Sequence, residues 1–235
     1  MSRSPPRGFT LLEIVLALTI LGIMMTVAYS ALGSITTSKR ALDDNRDIRA
    51  IANSVLIRLR RELQLAFNQL PLLPPRDDLE KRYPARINLI GEKGSLANGN
   101  PGDRITFMAL EGGQYVPDGG THSGVVQVTY RAADNPNATG AGADGVLVRE
   151  EVPYQRPFEK AWDKAMVFPV TERLVSLEFA YYDEDDETWL DSWGGEGGKD
   201  GLPQMVRFTL ALRAPSGKVQ TYSTIVALRA GGSEE

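Results

Sequence analysis

The hydrophobic residues of the chain change their spacing in two places, and each spacing predicts a different element. Residues 9–32 are almost entirely apolar, about 24 residues or roughly 36 Å of helix, which is long enough to span a bilayer. Further along, apolar side chains recur every three or four residues and so form one stripe on a helix. These positions are Ile48, Ile51, Val55, Leu59, Leu63, Phe67 and Leu70.

The residues that flank this stripe are polar and charged, which favours a helix packed on a globular domain. Arg58, Arg60, Arg61, Glu62 and Gln64 lie largely off the stripe. Pro71 and the following Pro74-Pro75 should end the helix. We therefore predict one long helix with a membrane half at 9–33 and an amphipathic half at 34–70.

Beyond the prolines the chain predicts a β-rich domain over residues 71–235. After an irregular stretch to about Asp103, the hydrophobic period changes from three or four residues to two. The predicted strands are residues 104–110, 125–131, 146–152, 174–182, 206–213 and 218–228. No helical pattern separates most of them, which favours an antiparallel sheet. The predicted fold class is α+β, with the long helix packed on this sheet.

Glu13 is an acidic residue near the start of the apolar segment, where an ionised side chain is costly. Insertion scales assign about 2.5–3.5 kcal/mol to a charge at mid-membrane. Phe9 lies four residues earlier, on the same helical face and one turn away. If the chain were cut after Gly8, Phe9 would carry a free α-amine that can pair with Glu13.

This N-terminus resembles the class III signal of type IV pilins and type II secretion pseudopilins. The family pattern is a short basic leader, a Gly, a cut before Phe and a Glu at the fifth mature position. Arg3, Arg7, Gly8, Phe9 and Glu13 match it residue by residue. The resemblance implies a pilin-like fold, a leader at residues 1–8, and a prepilin peptidase that cleaves after Gly8 and N-methylates Phe9.

Two other interpretations of the N-terminus were considered. An ordinary secretory signal would use Arg3 and Arg7 as its basic region, and cleavage would leave Ala31 as the first mature residue. Glu13 inside the apolar core and the length of the run argue against it. A plain signal anchor would place Glu13 at the interface but leaves Gly8-Phe9 unexplained.

Composition limits the classes of function. The chain has 235 residues, no cysteine and a net charge of −4. It therefore has no disulfides, zinc-thiolate site or cysteine nucleophile, and nucleic-acid binding has no electrostatic support. The basic residues before the apolar run favour a cytoplasmic N-terminus and an exported C-terminal domain. The pilin resemblance further implies a single-pass protein of a bacterial inner membrane with its C-terminal domain in the periplasm.

The downstream sequence resembles the J-type minor pseudopilin of the type II secretion system. Tyr181-Tyr182, an acidic loop, Trp189 and Trp193, and a closing hairpin after Pro203 carry this part of the resemblance. It implies a structural subunit without catalysis, in a tip complex with the I and K and then the H types. The major pseudopilin, the inner-membrane assembly platform and secreted protein substrates are the other implied partners.

Different classes of function remain open at this stage. A minor type IV pilin or a competence pseudopilin would carry the same leader. A signal-anchored periplasmic binding domain or enzyme would carry it by coincidence. The neighbouring genes and the mature N-terminus distinguish these alternatives.

Few residues outside the leader carry candidate chemistry, and we predict no catalytic, cofactor or metal site. His122 is the only histidine and is typical of a loop residue. The acidic run at residues 183–187 lacks the glycine and spacing of an EF-hand and predicts a solvated hairpin loop rather than a calcium site. Trp189 and Trp193 are candidates for a partner interface or for packing over a sheet edge. The acceptor triplet that begins at Asn137 is interpreted as chance.

Overall fold

The computed structural model describes residues 11–84, 86–110, 124–137, 144–195 and 198–228, with the backbone alone for residues 32–38 and 40–45. The chain divides into two compact units, Met1–Arg46 and Asp47–Glu235. One helix, α1 (Leu11–Gln64), contributes residues to both units. The second unit contains the sheet and the last turns of α1. The leader positions Gly8 and Phe9 and the lone His122 lie outside the described residues.

The helix α1 ends at Gln64, so the predicted end at residue 70 was wrong. The amide of Leu65 is shared between the carbonyls of Arg61 and Glu62, which tightens the last turn. Phe67 then donates its amide to the carbonyl of Met108, and Leu65 accepts from the amide of Leu110. Backbone bonds to a distant strand replace the next helical turn, although the hydrophobic spacing continues through it.

The strands form an antiparallel sheet, as the period-two pattern predicted. Among the described residues the order is β1-β2-β3-β4-β5-β7-β8, with β6 paired to the end of β5. The strands are β1 (Leu89–Glu92), β2 (Arg104–Leu110), β3 (Val125–Asp134), β4 (Gly145–Pro153), β5 (Met166–Asp183), β6 (Thr188–Leu190), β7 (Met205–Arg213) and β8 (Val219–Ala227). Every pair of neighbouring strands is antiparallel.

Three described elements were not predicted from the sequence. β1 lies in the stretch interpreted as irregular, β6 is only three residues long, and the short helix α2 (Phe158–Asp163) precedes β5. β5 also begins at Met166, well before the predicted start at residue 174, and runs for 18 residues. Its first half pairs with β4 and its second half with β7. A strand that changes partners midway has no simple signature in a period-two pattern.

One face of the sheet and the last turns of α1 form the main core. The buried helix positions are Ile48, Ala52, Val55, Leu59 and Leu63. The alternation predicted for β7 is confirmed, because Val206, Phe208, Leu210 and Leu212 are all fully buried. Ile105, Phe107 and Ala109 of β2 share the same face, as expected. The predicted stripe is thus correct from Ile48 to Leu63, with Ala52 more deeply buried than its neighbour Ile51.

Candidate functional site

Residues Leu11–Ala31 of α1 present a mostly apolar surface. Residues Leu11–Ala31 have a mean hydropathy of 2.4 and are long and apolar enough to cross a membrane, and none of that window is buried within the chain. Glu13 lies in the first turn of α1 and is exposed in the isolated chain. An exposed apolar surface of this size requires lipid or protein around it. The helix therefore has the properties of a single-pass membrane anchor.

A buried ionic cluster joins the last turns of α1 to the sheet. Glu62 accepts hydrogen bonds from Arg149 Nε at 3.1 and 3.2 Å, and the hydroxyl of Tyr130 donates to it at 2.8 Å. Arg149 Nη2 also lies 2.6 Å from Glu151 Oε2. Arg58, one turn before Glu62, contributes a third donor at 3.1 Å. Two carboxylates and two guanidiniums thus balance each other in this cluster.

The sheet brings the partners of Glu62 together by register. Tyr130 on β3 and Arg149 on β4 are directly opposite each other, so their side chains share a face. Glu151 lies two residues beyond Arg149 on the same face. Glu62 itself lies three residues after the buried Leu59, which places it at the margin of the apolar stripe.

Burial and charge act together on the ionisable groups of this cluster. Burial raises the pKa of the Tyr130 hydroxyl, and the neighbouring Glu62 carboxylate raises it further. For Arg149, burial acts to lower the pKa, but the charge and hydrogen bonds of Glu62 outweigh it, so the net pKa is raised. The tyrosine therefore stays a neutral donor, and the arginine stays a cation over all accessible pH.

The helical spacing predicts Glu62 largely off the apolar stripe, and this prediction was wrong. The residue is 7 % exposed, and its carboxylate faces the sheet. Its spacing of three residues from Leu59 and seven from Val55 could have indicated a position at the buried edge. Its principal partner, Arg149, is 87 residues away in the chain, so helix periodicity could not identify it.

The two tryptophans proposed as partner anchors have different environments. Trp193 is 5 % exposed and belongs to the main core. Its indole nitrogen donates to the carbonyl of Gly201 at 3.0 Å, and its backbone pairs with Gly91 on β1. Because so little of its ring is exposed, Trp193 fits the prediction of packing within the domain and not that of a partner anchor. Trp189 is half-buried, and Arg207 lies 4.6 Å from the centre of its ring on the sheet surface, so its role as a partner anchor remains a prediction.

The acidic run at residues 183–187 forms the turn between β5 and β6. Lys199 Nζ lies 2.7 Å from Asp183 Oδ2 and 3.1 Å from Asp186 Oδ2. The hydrogen bond from Lys199 is the main cause that lowers the pKa of the Asp183 carboxyl. The ammonium group of Lys199 therefore neutralises charge in this acidic turn. Among the described residues, no group of three or more metal-ligating side chains converges on one point.

Comparison with known proteins bears on the N-terminus. The family described as the prokaryotic N-terminal methylation motif matches residues 3–29. No curated protein matches the chain in sequence. A methylation motif that includes the start of an apolar helix, together with an antiparallel sheet domain, supports a type IV pilin-like protein or pseudopilin. The match covers Gly8, Phe9 and Glu13 and most of the candidate membrane span.

Proposed function

We propose that this chain is a J-type minor pseudopilin of a type II secretion system, a structural subunit without enzymatic activity. The observation that carries the proposal is the methylation motif at residues 3–29, which overlaps the exposed apolar helix Leu11–Ala31. The α+β fold, with the end of α1 packed on an antiparallel sheet, supports the same class. Tyr181-Tyr182, the acidic turn and the closing β7–β8 hairpin support the J type by resemblance.

In this proposal a prepilin peptidase removes residues 1–8 and methylates Phe9. The new α-amine neutralises Glu13 of its own or a neighbouring subunit, because an isolated carboxylate in lipid costs several kcal/mol. The apolar helix then moves from the inner membrane into the core of a periplasmic pseudopilus. The sheet domain lies in the periplasm and assembles with the I, K and H minor pseudopilins at the tip.

The mature N-terminus provides the direct test. Mass spectrometry of the protein isolated from its host should find a chain that begins at Phe9 with an added methyl group. A chain that begins at Ala31 would identify an ordinary secretory signal, and an intact leader would identify a simple anchor. Either of these two results would refute the pilin class.

The role of Glu13 is tested by assembly. Glu13→Leu should insert in the membrane as the wild type does, because it removes a charge from an apolar segment. It should recover about tenfold less of the I and K partners on co-purification, because the amine of Phe9 loses its counter-charge. Thr19→Leu is the matched control, since it also removes a polar group from the apolar segment, and the Thr19 hydroxyl donates to the carbonyl of Val15 in its own helix. Equal recovery of partners by the Glu13 variant and by the control would contradict this role.

The particular type of pseudopilin is tested by co-expression. The full chain with the I and K candidates should form a complex that survives size-exclusion chromatography. A specific interface of this kind buries on the order of 1,000 Å² or more. If the chain instead co-purifies with the subunits of a type IV pilus or a competence system, the proposal of a secretion role fails while the pilin class remains.

A further inference from the structure

An open pocket of about 600 Å³ lies beside the short helix α2, where the chain after α1 passes β4. Its walls are mainly proline and aromatic side chains, and two arginines and one glutamate complete it. The lining residues are Pro71, Leu72, Pro74, Arg82, Tyr83, Tyr154, Arg156, Pro157, Phe158 and Glu159. We call this the proline–aromatic pocket.

The walls of this pocket are held in place by hydrogen bonds from the domain behind them. The indole of Trp162 on α2 donates to the carbonyl of Pro74 at 3.0 Å. The amide of Leu73 donates to the side chain of the buried Gln127 at 2.8 Å. The pocket therefore exists before any ligand arrives, which reduces the entropy cost of binding.

Two cations share one aromatic ring at the pocket. The guanidiniums of Arg82 and Arg156 lie 5.2 and 5.5 Å from the centre of the Phe158 ring. Backbone carbonyls of Leu79 and Lys81 accept from the head of Arg82 and fix its position. Arg156 has no hydrogen bond or ion pair with any residue that the structure describes, and its guanidinium lies over the Phe158 ring.

The charge of the lining is positive, because the two arginines outnumber the single carboxylate of Glu159. Glu159 makes no ion pair with either arginine. Arg82 uses Nη1 for the carbonyls of Leu79 and Lys81, which leaves its Nε and Nη2 donors for a planar anion. Carboxylates satisfy guanidinium donors in a bidentate way. The tyrosine, phenylalanine and proline surfaces beside them suit an apolar or aromatic side chain.

We propose that the proline–aromatic pocket binds an acidic segment of another protein, with one aromatic side chain inserted against Tyr83, Tyr154 and Phe158. Carboxylates on either side of that aromatic residue bond to Arg82 and Arg156. The chemistry of the lining selects this occupant, since aromatic walls and two cations match an aromatic residue flanked by acids. This interaction site does not depend on leader processing or on the type of secretion or pilus system.

The test uses the full chain in nonionic detergent and a fluorescein-labelled peptide whose centre reads Asp-Phe-Asp. Fluorescence anisotropy at low salt should show saturable binding that weakens as salt is added. Arg156→Glu should weaken this binding about tenfold or more, since it replaces a charge-assisted bond with repulsion. Arg60→Glu is the matched control, because Arg60 is an exposed arginine on α1 that does not line the pocket. It should bind within about twofold of the wild type.

Two further peptides test separately whether the carboxylates and the aromatic side chain of the ligand contribute to binding. A peptide with Lys-Phe-Lys at its centre should not bind if the arginines recognise carboxylates. A peptide with Asp-Gly-Asp should bind far more weakly if the aromatic walls contribute. Near-ultraviolet circular dichroism verifies that Arg156→Glu folds, as expected for an exposed side chain. Absence of binding by the wild type, equal binding by Arg156→Glu, or equal binding of either control peptide would overturn the proposal.

Discussion

The buried carboxylate of Glu62 should contribute strongly to the stability of the sheet domain. Glu62→Gln keeps the shape of the side chain but removes its charge and one of its acceptor oxygens. The single amide oxygen of Gln replaces two acceptor oxygens, and its NH2 group lies against a donor, either the guanidinium of Arg149 or the hydroxyl of Tyr130. We expect the variant to lower the free energy of unfolding by about 2–3 kcal/mol.

The magnitude follows from the partners that remain. Removing one member of a buried ion pair costs about 3–5 kcal/mol when the other charge is left alone. Arg149 keeps Glu151 at 2.6 Å, so its charge is still compensated and the cost falls below that range. Arg58 is one-third exposed, so the loss of its bond to Glu62 adds less than about 1 kcal/mol.

Urea unfolding of the full chain in detergent measures this change. All three tryptophans lie in the unit Asp47–Glu235, so their fluorescence reports on the sheet domain. Glu92→Gln is the matched control, because its ion pair with Arg104 has a 3.8 Å separation and both side chains are more than half exposed. The control should change stability by less than about 0.5 kcal/mol. If Glu62→Gln were as stable as this control, the inferred role of the cluster would be wrong.

Four further predictions use the same unfolding assay. Tyr130→Phe removes the hydroxyl that donates to the buried carboxylate and should cost about 1–2 kcal/mol. Tyr181→Phe should be neutral or stabilising, because that buried hydroxyl has no hydrogen-bond partner among the described residues; equal losses for the two variants would contradict this reasoning. Gly91→Ala would place a methyl group 2.0 Å from the Tyr181 ring and should cost more than about 2 kcal/mol; wild-type stability would show that the ring moves freely. Lys199→Met should be less stable than the wild type at pH 7, because the lowered pKa of Asp183 gives stability that is present above about pH 4 and is lost as the pH falls through the folded-state value. The two proteins should therefore become equally stable in strong acid, and a difference that does not change with pH would refute the pairing.

In the acidic turn, a buried carboxylate is neutralised by a lysine of the same domain. Asp183 is 2 % exposed, yet its carboxylate is balanced by Lys199 from the glycine-rich loop that follows β6. A calcium ion at this turn would have to displace an ammonium already within 2.7 Å. The same principle applies at Glu62, where the guanidinium of Arg149 supplies the charge that the carboxylate needs.

The sequence alone was sufficient for features that depend on local spacing. The apolar run before Leu32 and the stripe from Ile48 to Leu63 are helical periodicities, and each follows from residues within a few turns of one another. The alternation of β7 likewise reports which side chains face the core. These patterns predicted the α+β class and six of the described strands, because burial of one face requires a regular repeat wherever the element lies.

Only the tertiary structure decided how those elements meet. It ended α1 at Gln64, since the backbone of the next residues bonds to β2 in place of the helix. It placed Trp193 in the core and Glu62 beneath the sheet, because the groups that satisfy their polar atoms come from other parts of the chain. The two arginines at the proline–aromatic pocket meet at the ring of Phe158 only in the folded chain, because Arg82 is distant from that ring in sequence. Hydrogen bonds and ion pairs between distant residues form only after the chain has folded, so no local pattern encodes them.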